Sequence, residues 1–192
     1  MKKSIFAALF LALFSMNMFA QEIDLKPGLY AVNGDEYLPL SNTSGKSVNS
    51  GSSFFGFEIG KKQYEYKGKT SENPFTGTFL MVCDPNKENV KFAWGKYEPF
   101  VKSMTPDNML IIPLKVEKKK RIYEEGTTIM GINTTSYERD PFTWEKISDY
   151  AYLITTELQP GEYGIVFKAA ELGNYEFTAI FDFTVPDETI EE

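Results

Sequence analysis

The chain has 192 residues, 42% hydrophobic and 24% charged, with 27 acidic against 20 basic side chains and a formal net charge of −7. That apolar content suits a folded domain rather than a disordered tail, and the acidic balance argues against nucleic acid, whose phosphates call for a basic surface. With no histidine and one cysteine, a Ser-His-Asp triad, a Cys-His pair, a His-ligated zinc, a disulfide framework and a CxxC redox pair are excluded within one chain, and neither a metal nor a cofactor is expected.

Residues 1–20 read as a secretory signal peptide. Lys2 and Lys3 form a short positive region, Ile5 to Met16 an apolar stretch broken only by Ser15, and Ala20 a small residue at the expected cleavage point before Gln21. The apolar stretch is short for a membrane span, and no cysteine follows it to carry a lipid, so a periplasmic or secreted protein that is not a lipoprotein is expected. Cleavage would remove two of the 20 basic residues and no acid, leaving 18 against 27, or −9. Residues 21–192 then form the β domain, as one core or two packed subdomains. An exported chain without disulfides suggests a bacterial envelope.

After the leader the apolar period is two rather than 3.6. Leu25-Lys26-Pro27-Gly28-Leu29-Tyr30 opens the domain with a corner: Pro27 presets φ, Gly28 supplies the positive φ of a type II turn, and Tyr30 enters a strand. Asn33-Gly34 marks a turn. Ser41 to Ser53 holds no large apolar residue except Val48 and reads as a loop, a candidate internal boundary and a contact surface. Phe55, Phe57 and Ile59, then Phe79, Met81 and Cys83, alternate as strands do. Cys83 is expected as a small buried hydrophobe. Asp84, Asn86 and Glu88 alternate like the start of a calcium loop, but Asn89 and Gly95 stand where glycine and glutamate are needed, so a polar turn is expected.

Phe92-Ala93-Trp94-Gly95-Lys96-Tyr97 is an aromatic cluster. Trp94, Tyr97 and the more distant Trp144 are the candidate ligand-binding residues, since exposed aromatic faces stack on sugars or partner side chains. For both tryptophans the preferred expectation is nevertheless burial in the core, since tryptophan is highly buried on average. Leu110, Ile112, Leu114 and Val116 alternate next, followed by the basic cluster Lys115, Lys118, Lys119, Lys120 and Arg121. Its two readings are a grip on an acidic glycan or anionic lipid, and lysines that blunt a sheet edge or decorate a turn; the alternation into solvent favours the second.

Ala151 to Thr156 reads as a strand, and Leu158-Gln159-Pro160-Gly161-Glu162-Tyr163 repeats the L-x-P-G-x-Y corner with Pro160, Gly161 and Tyr163. A strand to Lys168, a loop at Ala169 to Asn174 and a last strand follow. In that strand Tyr175, Phe177, Ala179, Phe181, Phe183 and Val185 share an oily face, while Glu176, Thr178, Asp182 and Thr184 face water, with Ile180 the exception. The fold expected is all-β, an antiparallel immunoglobulin-like sandwich in which these last three strands stand as E, F and G and Tyr163 as the tyrosine corner.

The residues Leu110-Ile111-Ile112-Pro113-Leu114, Lys118 to Arg121, Trp144 to Tyr152 and Leu158 to Gly164, in that order, resemble uncharacterised secreted proteins of Gram-negative gut bacteria that end in an L-x-P-G-E-Y hairpin. The resemblance covers roughly the last 80 residues. It implies an exported β-rich domain and brings no catalytic residues with it.

Three functional readings follow. The first is an exported, non-catalytic binding or assembly module of the envelope acting through protein–protein contact at sheet edges and end loops. The second is a carbohydrate-binding module using Trp94, Tyr97 or Trp144. The third is a carboxylate glycoside hydrolase, for which Glu58 and Asp182 are the candidate acids. The first is preferred, with no catalytic residue assigned.

Overall fold

A computed structural model describes residues 25–54, 57–83, 105–129, 132–135, 139–168, 175 and 177–187. The leader, Phe55, the 84–89 turn, Trp94, Tyr97, the 169–174 loop and Glu176 lie outside the described residues, and so does the Glu58 side chain. Among the described residues there are twelve strands, one 3₁₀ turn at Pro106–Asn108 and no α-helix. In chain order the strands are β1 (Gly28–Asn33), β2 (Glu36–Pro39), β3 (Thr43–Phe54), β4 (Phe57–Lys67), β5 (Thr78–Val82) and β6 (Met109–Glu117). Then come β7 (Lys120–Ile129), β8 (Ile132–Thr135), β9 (Thr143–Ser148), β10 (Ala151–Thr155), β11 (Gly161–Phe167) and β12 (Ala179–Val185).

All the pairings are antiparallel, and the strands form two sheets. The smaller runs β2-β1-β5-β10-β9; the larger runs β4-β3-β12-β11-β6-β7-β8. Because β4 also pairs with β7, the larger sheet rolls up and closes a barrel of β3, β4, β7, β6, β11 and β12. The expected all-β sandwich is therefore present, with one layer closed on itself. Strands β10, β11 and β12 keep the expected division, the first in one sheet and the other two in the second.

The alternating residues explain the layering. Leu29, Ala31, Phe79, Met81 and Ile154 from the small sheet meet Met109, Ile111, Tyr163, Ile165, Phe167, Phe181, Phe183 and Val185 from the barrel wall in one buried core. Phe183 sits at its centre, its ring 5.1 Å from Phe75, 5.1 Å from Phe79 and 5.7 Å from Tyr163. Burial of a phenylalanine of this kind contributes about 2–3 kcal/mol. Cys83 lies at the margin of the same core, buried.

The other face of the wall strands turns into the barrel. Leu110, Ile112, Leu114, Val166 and Ile180 pack there with Tyr64, Tyr66, Tyr123 and Phe177. Ile180 breaks the apolar parity of β12 because both faces of this strand are covered. Gly45 on β3 lets the Tyr66 ring lie against the backbone: a Cβ at position 45 would stand 2.8 Å from Tyr66 Cδ1. The Tyr66 hydroxyl donates to the carbonyl of Phe177 at 2.7 Å, which uses the polar end of a buried ring.

Three expectations are corrected here. The stretch Ser41 to Ser53, which reads as a loop, belongs from Thr43 onward to the strand β3, paired with β4 from Gly45↔Tyr66 to Phe54↔Phe57. Small polar residues suffice because β3 buries little of its own and borrows the bulk of Tyr64 and Tyr66 across the pair. Asp182, expected on a wet face, is 1% exposed and points into the barrel. Arg121, expected to continue a lysine run into solvent, is 2% exposed and ion-paired with Asp182 and with Glu162, the latter at 3.3 Å.

That cluster is dense with partners. Thr43 Oγ1 donates to Asp182 at 2.7 Å, Asn73 Nδ2 to the same carboxylate at 3.2 Å, and Thr184 Oγ1 to Glu162 at 2.8 Å. Ser71 N donates to Glu162 at 3.1 Å, and a guanidinium nitrogen of Arg121 to the Lys67 carbonyl at 3.1 Å. Buried charges persist only when paired and hydrogen-bonded in this way. The segment around Ser71–Asn73 is thereby tied to β11 and β12.

Candidate interaction surface

The two L-x-P-G-x-Y corners sit at the starts of β1 and β11 and carry the same bond. Tyr30 donates its hydroxyl to the Lys26 carbonyl at 2.7 Å, and Tyr163 donates to the Gln159 carbonyl at 2.9 Å, each four residues back. Neither glycine adopts the left-handed φ of a type II turn: Gly28 lies at φ +159°, close to extended, and Gly161 is outside that region. Each ring lies over its glycine: a Cβ at Gly161 would stand 3.4 Å from the Tyr163 ring, and one at Gly28 would stand 3.7 Å from the Tyr30 ring, both ordinary contact distances. Burial, reinforced by the charge of Asp140, pushes the Tyr163 phenol above its ordinary range. Pro27, Gly28, Tyr30, Pro160, Gly161 and Tyr163 thus fix corners and offer no open ligand chemistry.

Asp182 is held by Arg121, Thr43 and Asn73 inside the fold. A carboxylate so enclosed presents no oxygen to a bound sugar. Among the described residues no group of three or more Cys, Asp or Glu side chains is arranged to hold a metal ion.

The exposed aromatics are elsewhere. Strand β9 forms one edge of the small sheet and pairs only with β10 among the described strands. Its residues Thr143, Trp144, Glu145, Lys146 and Ser148 are exposed. Trp144 is 44% exposed, which corrects the preferred expectation of burial. The reason is position: it faces the same side as the buried Ile154, its cross-strand partner, but on the last strand of the sheet no described residue closes over it. Its ring meets Tyr152 edge-on at 5.6 Å, which fixes its orientation.

Tyr150, in the β9–β10 turn, is 41% exposed. Its carbonyl accepts from Cys83 N at 2.8 Å, so the turn is anchored to the end of β5. The register skips Ile147 between Ser148↔Ala151 and Lys146↔Tyr152, a bulge that bends the hairpin. Lys146 pairs with Asp149 at 3.1 Å, and that hydrogen bond raises the ammonium above its ordinary range. The hairpin is a rigid ribbon with two outward aromatic side chains and a compensated charge. Sequence pattern singled out Trp144 but not Tyr150, whose exposure follows from the turn.

Compared with protein-family models, curated proteins and solved structures, the chain matches none.

Proposed function

We propose that this chain is an exported, non-catalytic binding or assembly module of a bacterial envelope, acting through protein–protein contact at the β9–β10 hairpin. The observation that carries the reading is the grouping of Trp144 and Tyr150, two of the three large hydrophobic residues exposed among the described ones, on one edge hairpin. Outward aromatics at a sheet edge combine two features of protein contacts, anchor side chains and unpaired backbone groups. Export rests on the leader, and the absence of catalysis on a chain without histidine whose candidate acid Asp182 is tied up internally.

The test is a photo-crosslinking residue at Glu145 in cells that export the protein. A discrete adduct with one envelope protein is expected, lost on Trp144→Ala, with no adduct from the same probe at the exposed Lys46. Absence of any adduct at 145 would sink the reading. The exposure of Trp144 also favours a second reading, stacking on a sugar ring. Glycan-array binding abolished by Trp144→Ala in a folded protein would establish that reading in place of the first.

A further inference from the structure

The basic cluster is larger in the fold than along the chain. Strands β4 and β7 place Lys67 opposite Lys120, and the turn that follows β4 is bonded to the β6–β7 turn by Gly68 N donating to the Lys119 carbonyl at 3.1 Å. Segments 65–70 and 115–120 together hold six lysines against Glu65 and Glu117, an excess of four positive charges on a chain whose net charge is −7. Glu65 pairs with Lys120 and Glu117 with Lys115. Lys67, Lys69, Lys118 and Lys119 are exposed and form no ion pair with any described residue.

Edge protection does not account for most of them. Lys69, Lys118 and Lys119 stand in turns rather than strands, and at Lys120–Ile122 β7 lies between β6 and β4. Lys118 also sits at φ +57°, the only non-glycine residue described with a positive φ. In a two-residue hairpin turn that conformation belongs to glycine or asparagine. A lysine there costs stability and keeps a charge at the apex. Beside it Val116 is 46% exposed, the most exposed large hydrophobic residue described.

We infer that the β6–β7 tip, with Lys67 and Lys69 of the neighbouring turn, is a docking surface for an anionic lipid layer. Lysine ammoniums are mobile point charges suited to a fluid array of phosphates, whereas fixed recognition of one anion favours arginine. An exposed aliphatic residue among them fits the boundary between headgroup and acyl chain. No aromatic or amide side chain is exposed in either segment to read a sugar or a peptide. The surface is separate from the β9–β10 hairpin and does not depend on the function proposed for it.

The test is co-sedimentation of the full chain with vesicles of phosphatidylglycerol in phosphatidylcholine, against phosphatidylcholine alone. The apolar N-terminal stretch contributes equally to every variant, so the comparison between variants isolates the tip. Binding to the anionic vesicles is expected to weaken as salt rises. Lys118→Gly combined with Lys119→Ser is expected to lower it about thirtyfold. Lys118→Gly alone should leave the melting temperature unchanged or raise it while weakening binding, a combination that a purely structural lysine would not produce. Equal binding by the wild type and the double variant would overturn the inference. So would displacement from the vesicles by inorganic phosphate, which would indicate a small-anion site, or by a soluble acidic glycan, each beyond what sodium chloride produces at the same ionic strength.

Discussion

Replacing Arg121 by methionine removes one cation from between two buried carboxylates while keeping much of the side chain's length. In the folded chain Arg121 is 2% exposed, and the side chains of Glu162 and Asp182 that it contacts are 5% and 2% exposed. The remaining donors, from Thr43, Ser71, Asn73 and Thr184, are neutral. They can orient the carboxylates but cannot cancel their charge. Breaking a buried pair by removing one partner costs about 3–5 kcal/mol, because the other charge stays buried without compensation. For a domain of this size that lowers the melting temperature by about 10 °C. Thermal and urea unfolding followed by circular dichroism at neutral pH provide the measurement. The companion variant adds Asp182→Asn and Glu162→Gln, which removes the stranded charges, keeps an oxygen to accept from Thr43 and Asn73, and should recover most of the loss. A cost below about 1 kcal/mol for Arg121→Met would refute the account, as would a triple variant no better than the single one.

Tyr163→Phe and Tyr30→Phe each remove one hydrogen bond to a carbonyl four residues back without changing ring packing. Each is expected to lose about 1 kcal/mol in urea unfolding, and the two losses should add, since the corners lie in different sheets. At alkaline pH the phenols of Tyr37, Tyr64 and Tyr163 titrate above their ordinary value of 10.0, each chiefly because burial disfavours the phenolate. Raised folded-state pKa values mean that their contribution to stability is complete below pH 10.0 and is lost as pH rises through the folded values. Phenolate absorbance and circular dichroism should therefore change together above that pH. Full ionisation of the tyrosines while the strand signal persists would contradict this.

Much of the architecture was legible in the chain. The alternation of Phe79 and Met81, of Leu110 to Leu114 and of Phe181 to Val185 reports a buried face directly, because a strand with one covered side must repeat every second residue. The corners were legible for the same local reason, a proline and a glycine before a tyrosine. Closure of the larger sheet was not. It depends on β4 meeting β7 and β3 meeting β12, contacts between distant segments that leave no periodic trace. Asp182 on the polar parity of β12 was read as solvated, since nothing local shows that a buried guanidinium stands opposite it. Arg121 follows three lysines and differs from them only in facing inward. The exposure of Trp144 was equally non-local: a large aromatic between Phe142 and Ile147 is compatible with a core, and its place on the outermost described strand leaves it open.

The ring of the barrel is unevenly sewn. Strands β3 and β4 run together from Gly45↔Tyr66 to Phe54↔Phe57, whereas among the described residues β3 meets β12 only at Ala179↔Ser44 and Ile180↔Thr43, with Gly45 N on the Thr178 carbonyl. Thr43, Asn73 and Asp182 rivet that short junction through their side chains. Backbone pairing is thinnest at this seam among the described residues, so the side-chain rivets supply more of its closure than at the longer junctions.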